Sequence, residues 1–199
     1  MTEVLYRNAT PDDAKNIAEL IAMSSDGVAV IEWQVEADKR SECTALDIGA
    51  ETYCNPNGNY SYKNCLIAEL NNKVAGMLLA FRVPDDCIPR SRKIRPIAEE
   101  ENVFAPYMYL EEPHSWYICG VATYPVFRGR GIGSHFMQMA EQQALLNGFN
   151  KLSLVAFEQN TRVVNLYQRL GYQVIDQAPV VPHPLIHYTG NALLMTKSI

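Results

Sequence analysis

Apolar residues recur at Ala14, Ile17, Ala18, Leu20 and Ile21, three and four apart, and this spacing predicts a helix running to about residue 23. Thr10-Pro11-Asp12-Asp13 marks its start: the threonine can cap, proline suits the first turn, and the two acids oppose the helix dipole. Residues 4–8 before it read as a short strand. Between residues 24 and 58 the pattern weakens, and helical stretches over 28–38 and near 41–53 are the readings it allows. Asn55-Pro56-Asn57-Gly58-Asn59 is a loop.

Two apolar runs, 65–70 and 74–81, flank Asn71-Asn72-Lys73 and predict a β-hairpin. Residues 82–114 then break the pattern with prolines, a basic stretch (Arg90, Arg92, Lys93, Arg95) and an acidic run (Glu99, Glu100, Glu101). A long stretch of this kind in a compact domain is often functional. It reads as an insertion, helical in part around 96–110, lying near a substrate site. Beyond it the pattern predicts a strand over 115–123 and a helix over 131–146 with an apolar stripe of Ile132, Phe136, Met139, Ala140 and Leu145. A strand over 152–157, a helix over 160–170, and strands over 172–175 and 192–196 follow. A helix that crosses over between the strands at 115–123 and 152–157 makes those two parallel. The expected architecture is one mixed α/β domain spanning 1–199.

Composition narrows the class. The chain has 199 residues, 48% apolar and 20% charged, which suffices for a buried core. No apolar run approaches the roughly 18–20 residues of a membrane helix, and charges interrupt the N-terminus, so the expectation is a cytoplasmic protein with no membrane partner. A net charge of −5 disfavours nucleic acid held through its phosphates. The five cysteines (Cys43, Cys54, Cys65, Cys87, Cys119) show no C-x-x-C pair and read as reduced, packed thiols.

The sharpest chemistry lies in Arg128-Gly129-Arg130-Gly131-Ile132-Gly133-Ser134, between a predicted strand and a predicted helix. Alternating glycines let a ligand approach the backbone and permit positive φ. A helix N-terminus offers unpaired N–H groups and a favourable dipole to an anion. Two arginines and a serine hydroxyl complete a cradle suited to pyrophosphate. The spacing is G-x-G-x-G, without the G-x-x-G step and downstream acid of a dinucleotide fingerprint, and the lysine of a Walker loop is absent.

Arg128-x-x-Gly131-x-Gly133 resembles the R/Q-x-x-G-x-G/A signature of the GNAT family of N-acetyltransferases. Asn160-x-x-Val163-x-x-Leu166-Tyr167-x-x-x-Gly171-Tyr172 is similar to that family's N-x-x-A-x-x-L-Y-x-x-x-G-F/Y, with Val163 in place of alanine. The resemblance covers most of the chain and is weakest at 24–60, 82–114 and 178–190. It implies a GNAT-like α/β fold: a central twisted, mostly antiparallel mixed sheet with a splayed parallel strand pair, flanked by helices. It also implies acetyl-CoA as acyl donor without a metal, and direct attack by a primary amine of a small molecule or peptide. Backbone groups of Val121, Ala122 and Thr123 would pair with the pantetheine arm, while Arg128, Gly129, Arg130, Gly131, Ile132, Gly133 and Ser134 would hold the pyrophosphate. Asn160 matches the family asparagine that bonds the arm, although asparagine at a helix start is equally a cap. Tyr167 matches the tyrosine near the thioester sulfur and would serve as general acid, with a packed core tyrosine as the alternative. A homodimer is common in the family.

The amine needs a base, since a free alkylamine has a pKa near 10. The strand over 115–123 carries no carboxylate, where the family often places a glutamate. Glu111, Glu112 and His114 precede it, and Glu112 is the first choice, with a water relay as the alternative. His183 and His187, four apart, lack a third ligand and read as loop residues. Two other functions stay open on sequence: an acyl-CoA-binding module without catalysis, and a nucleotide-binding protein using the same glycine loop.

Overall fold

The computed structural model describes residues 3–83, 103–104 and 110–199. Most of the reading of 82–114 as an insertion, with its helix around 96–110, therefore lies outside the described residues, as does Cys87. The strands are β1 (Leu5–Asn8), β2 (Cys65–Leu70), β3 (Lys73–Arg82), β4 (Trp116–Thr123), β5 (Lys151–Phe157), β6 (Gln173–Pro179) and β7 (Asn191–Ser198). The helices are α1 (Ala14–Ser24), α2 (Val28–Ala37), α3 (Ala45–Cys54), α4 (Ile132–Leu146) and α5 (Thr161–Arg169). The strands form one mixed seven-stranded sheet in the order β1-β2-β3-β4-β5-β7-β6. By its internal contacts the chain divides into two compact units, Met1–Phe81 with Cys119–Ala140, and Arg82–Ile118 with Glu141–Ile199.

In the first unit, β1–β2 and β2–β3 are antiparallel, the second pair carrying an irregularity at Ala68/Glu69. Seven successive β3 residues, Ala75 to Phe81, are buried, so both faces of this strand are covered. That burial explains why the sequence shows an unbroken apolar run and not an alternation. The predicted face of α1 is buried at Ala14, Ile17, Ala18, Leu20 and Ile21. Ile17, Leu20 and Ile21 each contribute about 1.5–3 kcal/mol for full burial, the alanines less. Near the start of α1, Asp13 is buried and takes a two-pronged bond from Arg7, at 2.8 Å to each oxygen. Burial pushes the Asp13 carboxyl up, but Arg7 and the hydrogen bonds from Thr10 together outweigh it and hold the group below the ordinary carboxylate value. α3 starts at a capping box in which the Thr44 hydroxyl accepts from Asp47 N–H while Asp47 accepts from Thr44 N–H.

In the second unit, β4 and β5 are parallel over Trp116↔Leu152, Tyr117↔Ser153 and Ile118↔Leu154. Antiparallel pairs join β5 to β7 and β6 to β7. At the entry to the parallel pair, fully buried Ser115 donates its hydroxyl to the Glu112 carbonyl at 2.7 Å. Its only proton being used, it accepts from Ser153 Oγ at 2.6 Å.

Two readings of the pattern need correction. On α4 the buried positions are Ile132, Phe136, Met137, Ala140 and Ala144, whereas Leu145 is 58% exposed. Ile132, Phe136 and Ala140 lie on the predicted stripe, but Met137 takes the place of Met139, which is half-buried, and small Ala144 carries the last inward turn in place of Leu145. β6 runs to Pro179, beyond the predicted 172–175, and nearly all its side chains are partly or fully exposed. Exposure on both faces leaves no alternation to read. Among the described residues no helix is long and apolar enough to cross a membrane, and Cys43, Cys54, Cys65 and Cys119 are free thiols.

Candidate acyl-CoA site

The glycine segment lies in the first unit, directly after β4. A 3-10 turn over Pro125–Phe127 leads out of the strand, and Arg128 donates from Nε to the Thr123 carbonyl at 3.1 Å. Gly129 and Gly131 both hold φ +78°, a conformation that other residues adopt only under strain. Gly133 has an ordinary φ. A Cβ added at any of the three would meet no heavy atom within 4 Å. These glycines are therefore not required by packing, and the space above them is open.

His135 N–H donates to the Gly131 carbonyl at 3.0 Å, the first turn-closing bond of α4. The amides of Ile132, Gly133 and Ser134 thus have no acceptor inside the helix. Ile132 is buried and anchors this turn, while Arg128, Arg130 and Ser134 are exposed beside it. Val121, Ala122 and Thr123 form the C-terminal end of β4. The first unit so holds all the residues expected at the pyrophosphate and, of those expected at the pantetheine arm, Val121, Ala122 and Thr123. The arrangement presents backbone donors, a helix dipole and two guanidinium groups, the chemistry of an anion site.

Asn160 and Tyr167 belong to the second unit. Asn160 opens α5 with its backbone carbonyl, which accepts from Val163 N–H at 2.9 Å and Val164 N–H at 3.0 Å. Its side chain makes no capping bond, so the capping role expected of the asparagine side chain is not the one it fills. Tyr167 is half-buried, its ring 5.7 Å from that of Tyr172. Burial pushes the Tyr167 phenol up to about 12, which keeps its proton in place at neutral pH. Tyr172 is 2% exposed, and its hydroxyl has no hydrogen-bond partner among the described residues.

Glu112, the first choice as base, forms an ion pair with Lys151 at the start of β5. Its backbone carbonyl is also taken, by Ser115. The structure thus gives this residue a partner that pins the parallel pair together. Cys119 is pushed up to about 12 by burial and stays a thiol, in keeping with a packing role. His183 accepts at Nδ1 from Leu185 N–H in its loop. Among the described residues no cluster of three or more His, Cys, Asp or Glu side chains is placed to hold a metal ion.

One contact set escaped the sequence. Tyr124, just after β4, donates its hydroxyl to Glu19 Oε2 at 2.7 Å and accepts from Asn16 Nδ2 at 3.2 Å. No local signal reveals it, because the partners are more than a hundred positions away in sequence.

Residues 29–172 match the acetyltransferase (GNAT) family. The chain belongs to that family. A curated acetyltransferase of Pectobacterium atrosepticum is 36% identical over 62 residues, a segment covering 31% of this chain and 43% of that relative. Among solved structures, the Drosophila melanogaster polyamine N-acetyltransferase that forms N-acetylagmatine superposes with a TM-score of 0.64. It is 16% identical, with 99% of this chain and 100% of that one covered. The NatC complex bound to Gag peptide and CoA gives a TM-score of 0.58 at 15% identity, with 99% of each chain covered. At these identities the structures show the shared GNAT fold alone, and the mixed sheet with its parallel pair and flanking helices is that fold.

Proposed function

We propose that this GNAT protein is an N-acetyltransferase, passing an acetyl group from acetyl-CoA to a primary amine by direct attack in a ternary complex. The observation that carries the reading is the cradle: three glycines with open space above them, set at a helix N-terminus between two arginines. A pyrophosphate fits this donor set, and a Cβ at those positions would fill the space it needs. Arg128, Gly129, Arg130, Gly131, Ile132, Gly133 and Ser134 would hold the pyrophosphate. The backbone of Val121, Ala122 and Thr123, with the Asn160 side chain, would hold the arm. Bound acetyl-CoA supplies an activated acyl carbon as a thioester.

Tyr167 acts at the leaving sulfur. With a pKa near 12 its phenolate is a stronger base than a thiolate, whose reference pKa is about 8.5. Its contribution is therefore hydrogen-bond donation from Oη to developing negative charge, with little net loss of its own proton. Because it keeps that proton, turnover should show no alkaline limb from Tyr167 between pH 7 and about 10; a limb abolished by Tyr167→Phe would contradict this. Tyr167→Phe should lower kcat about tenfold or more with CoA affinity spared, whereas equal turnover would remove the role.

The base is Glu111, Glu112, His114 or a water, and Glu112 would first have to leave Lys151. That engagement favours a second reading, an acyl-CoA-binding module without catalysis. The acceptor is a small-molecule or peptide amine, classes named for the polyamine enzyme and the peptide-bound complex. The reading carries with it a cytoplasmic location, a homodimer, and one catalytic domain over 1–199 with an insertion at 82–114. The test is thiol release from acetyl-CoA against amines, polyamines, aminoglycosides and peptides, beside calorimetric binding of CoA. Acceptor-dependent release supports the transferase; binding without release supports the second reading; absence of binding sinks both.

A further inference from the structure

We propose that Glu19 and Asn16 of α1 are positioning residues for the acyl-CoA cradle, acting through the hydroxyl of Tyr124. The inference rests on the reading of residues 121–134 as that cradle, and it adds a device that holds the cradle from outside.

The turn that feeds the cradle is fixed at several points. Tyr124 N–H donates to the Ala75 carbonyl of β3 at 2.9 Å, and Phe127 N–H donates to the Tyr124 carbonyl at 2.9 Å. Arg128 N–H donates to the Pro125 carbonyl at 3.2 Å, and Arg128 Nε reaches back to the Thr123 carbonyl. Each of these bonds is local, or ties the turn to its neighbouring strand. The Tyr124 side chain reaches α1, where its hydroxyl sits between the Glu19 carboxylate and the Asn16 amide. Burial pushes the Tyr124 phenol up to about 12, so the hydroxyl keeps its proton and is the donor to Glu19.

All three side chains are half-buried. The face of α1 buried at Ile17, Ala18, Leu20 and Ile21 already docks the helix, so the polar contact is not what keeps α1 in place. Its consequence falls on the other partner, the few residues between Thr123 and Arg128. A turn held both at its backbone and through the Tyr124 side chain presents Arg128 and the glycines ready for a ligand. Binding then loses less conformational freedom.

The experiment is calorimetric titration of the full chain with CoA, with thermal unfolding of each variant measured without CoA. Tyr124→Phe keeps the ring and removes only the hydroxyl, so it reports on the contact even if Glu19→Ala folds poorly. Each is expected to weaken CoA about fivefold to tenfold, a part of the worth of one hydrogen bond to a charged acceptor, since the bond also exists in the free protein. The double variant should lose no more than Tyr124→Phe alone, because that change already removes the contact with Glu19. Glu19→Gln retains an acceptor for the phenol and should bind CoA within about twofold of the wild type, a rescue that a purely charge-based effect would not show. Unchanged affinity in Tyr124→Phe, losses that add in the double variant, or a Glu19→Gln loss equal to that of Glu19→Ala would each overturn the proposal. If Arg128→Glu weakens CoA while Tyr124→Phe does not, only the anchor falls. If the wild type does not bind CoA, the cradle falls and the anchor with it.

Discussion

Two groups of glycines in the same unit have opposite reasons for being glycine. A Cβ on Gly76 would stand 2.5 Å from the Ala122 carbonyl oxygen and 3.1–3.2 Å from Thr123 atoms. On Gly120 it would stand 2.9–3.1 Å from Ile21, Ser24 and Met77. On Gly129, Gly131 and Gly133 it would meet nothing. The first group lets β3, β4 and α1 approach each other, and its cost on replacement is steric and present in the free protein. The second group costs nothing in packing: Gly129 and Gly131 answer to positive φ, and the open space above all three is what the proposed cradle would use.

The sharpest way to break this comparison is Gly76→Ala. The nearest atom is backbone, which cannot swing aside, so about 3 kcal/mol of stability should be lost. For a chain of this size that corresponds to a Tm lower by about 6–12 °C. A Tm within about 2 °C of the wild type would show that β4 yields easily there. Next in size, Arg128→Glu should leave Tm nearly unchanged and weaken CoA by about 2 kcal/mol, roughly thirtyfold, in calorimetry. Unchanged affinity would remove the arginine from the cradle.

Gly133→Ala refines the contrast, because its φ is ordinary and it lies inside α4. Alanine there gains helix propensity, at most about 1 kcal/mol, and Tm should rise slightly. CoA affinity should fall about tenfold if a phosphate uses that space. A rise in Tm with full affinity would mean the space is merely solvent. Gly131→Ala is a poorer probe, since φ +78° adds strain of its own.

Most of the fold was legible where residues repeat with a local period, as along α1, or run unbroken, as along β3. α3 begins later than the expected 41–53 because its start signal is the Thr44–Asp47 capping box. Leu145 was misplaced because alanines, not leucines, complete the inward face of α4. The residues of the proposed cradle can be named from sequence because they are contiguous in it. The acid candidate Tyr167 was named through a second contiguous motif. What sequence could not give were side-chain partners brought from afar: Lys151 for Glu112, and Glu19 with Asn16 for Tyr124. Those pairings depend on strand register and helix docking, which no local pattern encodes.

The strand order bears on how the protein is made. β5 is complete at Phe157, yet the strand that covers its far edge, β7, does not begin until Asn191, and β6 lies beyond β7 although it precedes it in sequence. During synthesis β5 must therefore wait, with that edge unpaired, while α5, β6 and the following loop emerge. Among the described residues β6 has no strand to join until β7 arrives, since its one partner in the sheet is β7. Closure of this half of the sheet is thus a late and non-local event, the kind that folds slowly and offers an open edge to other chains or to a chaperone in the meantime.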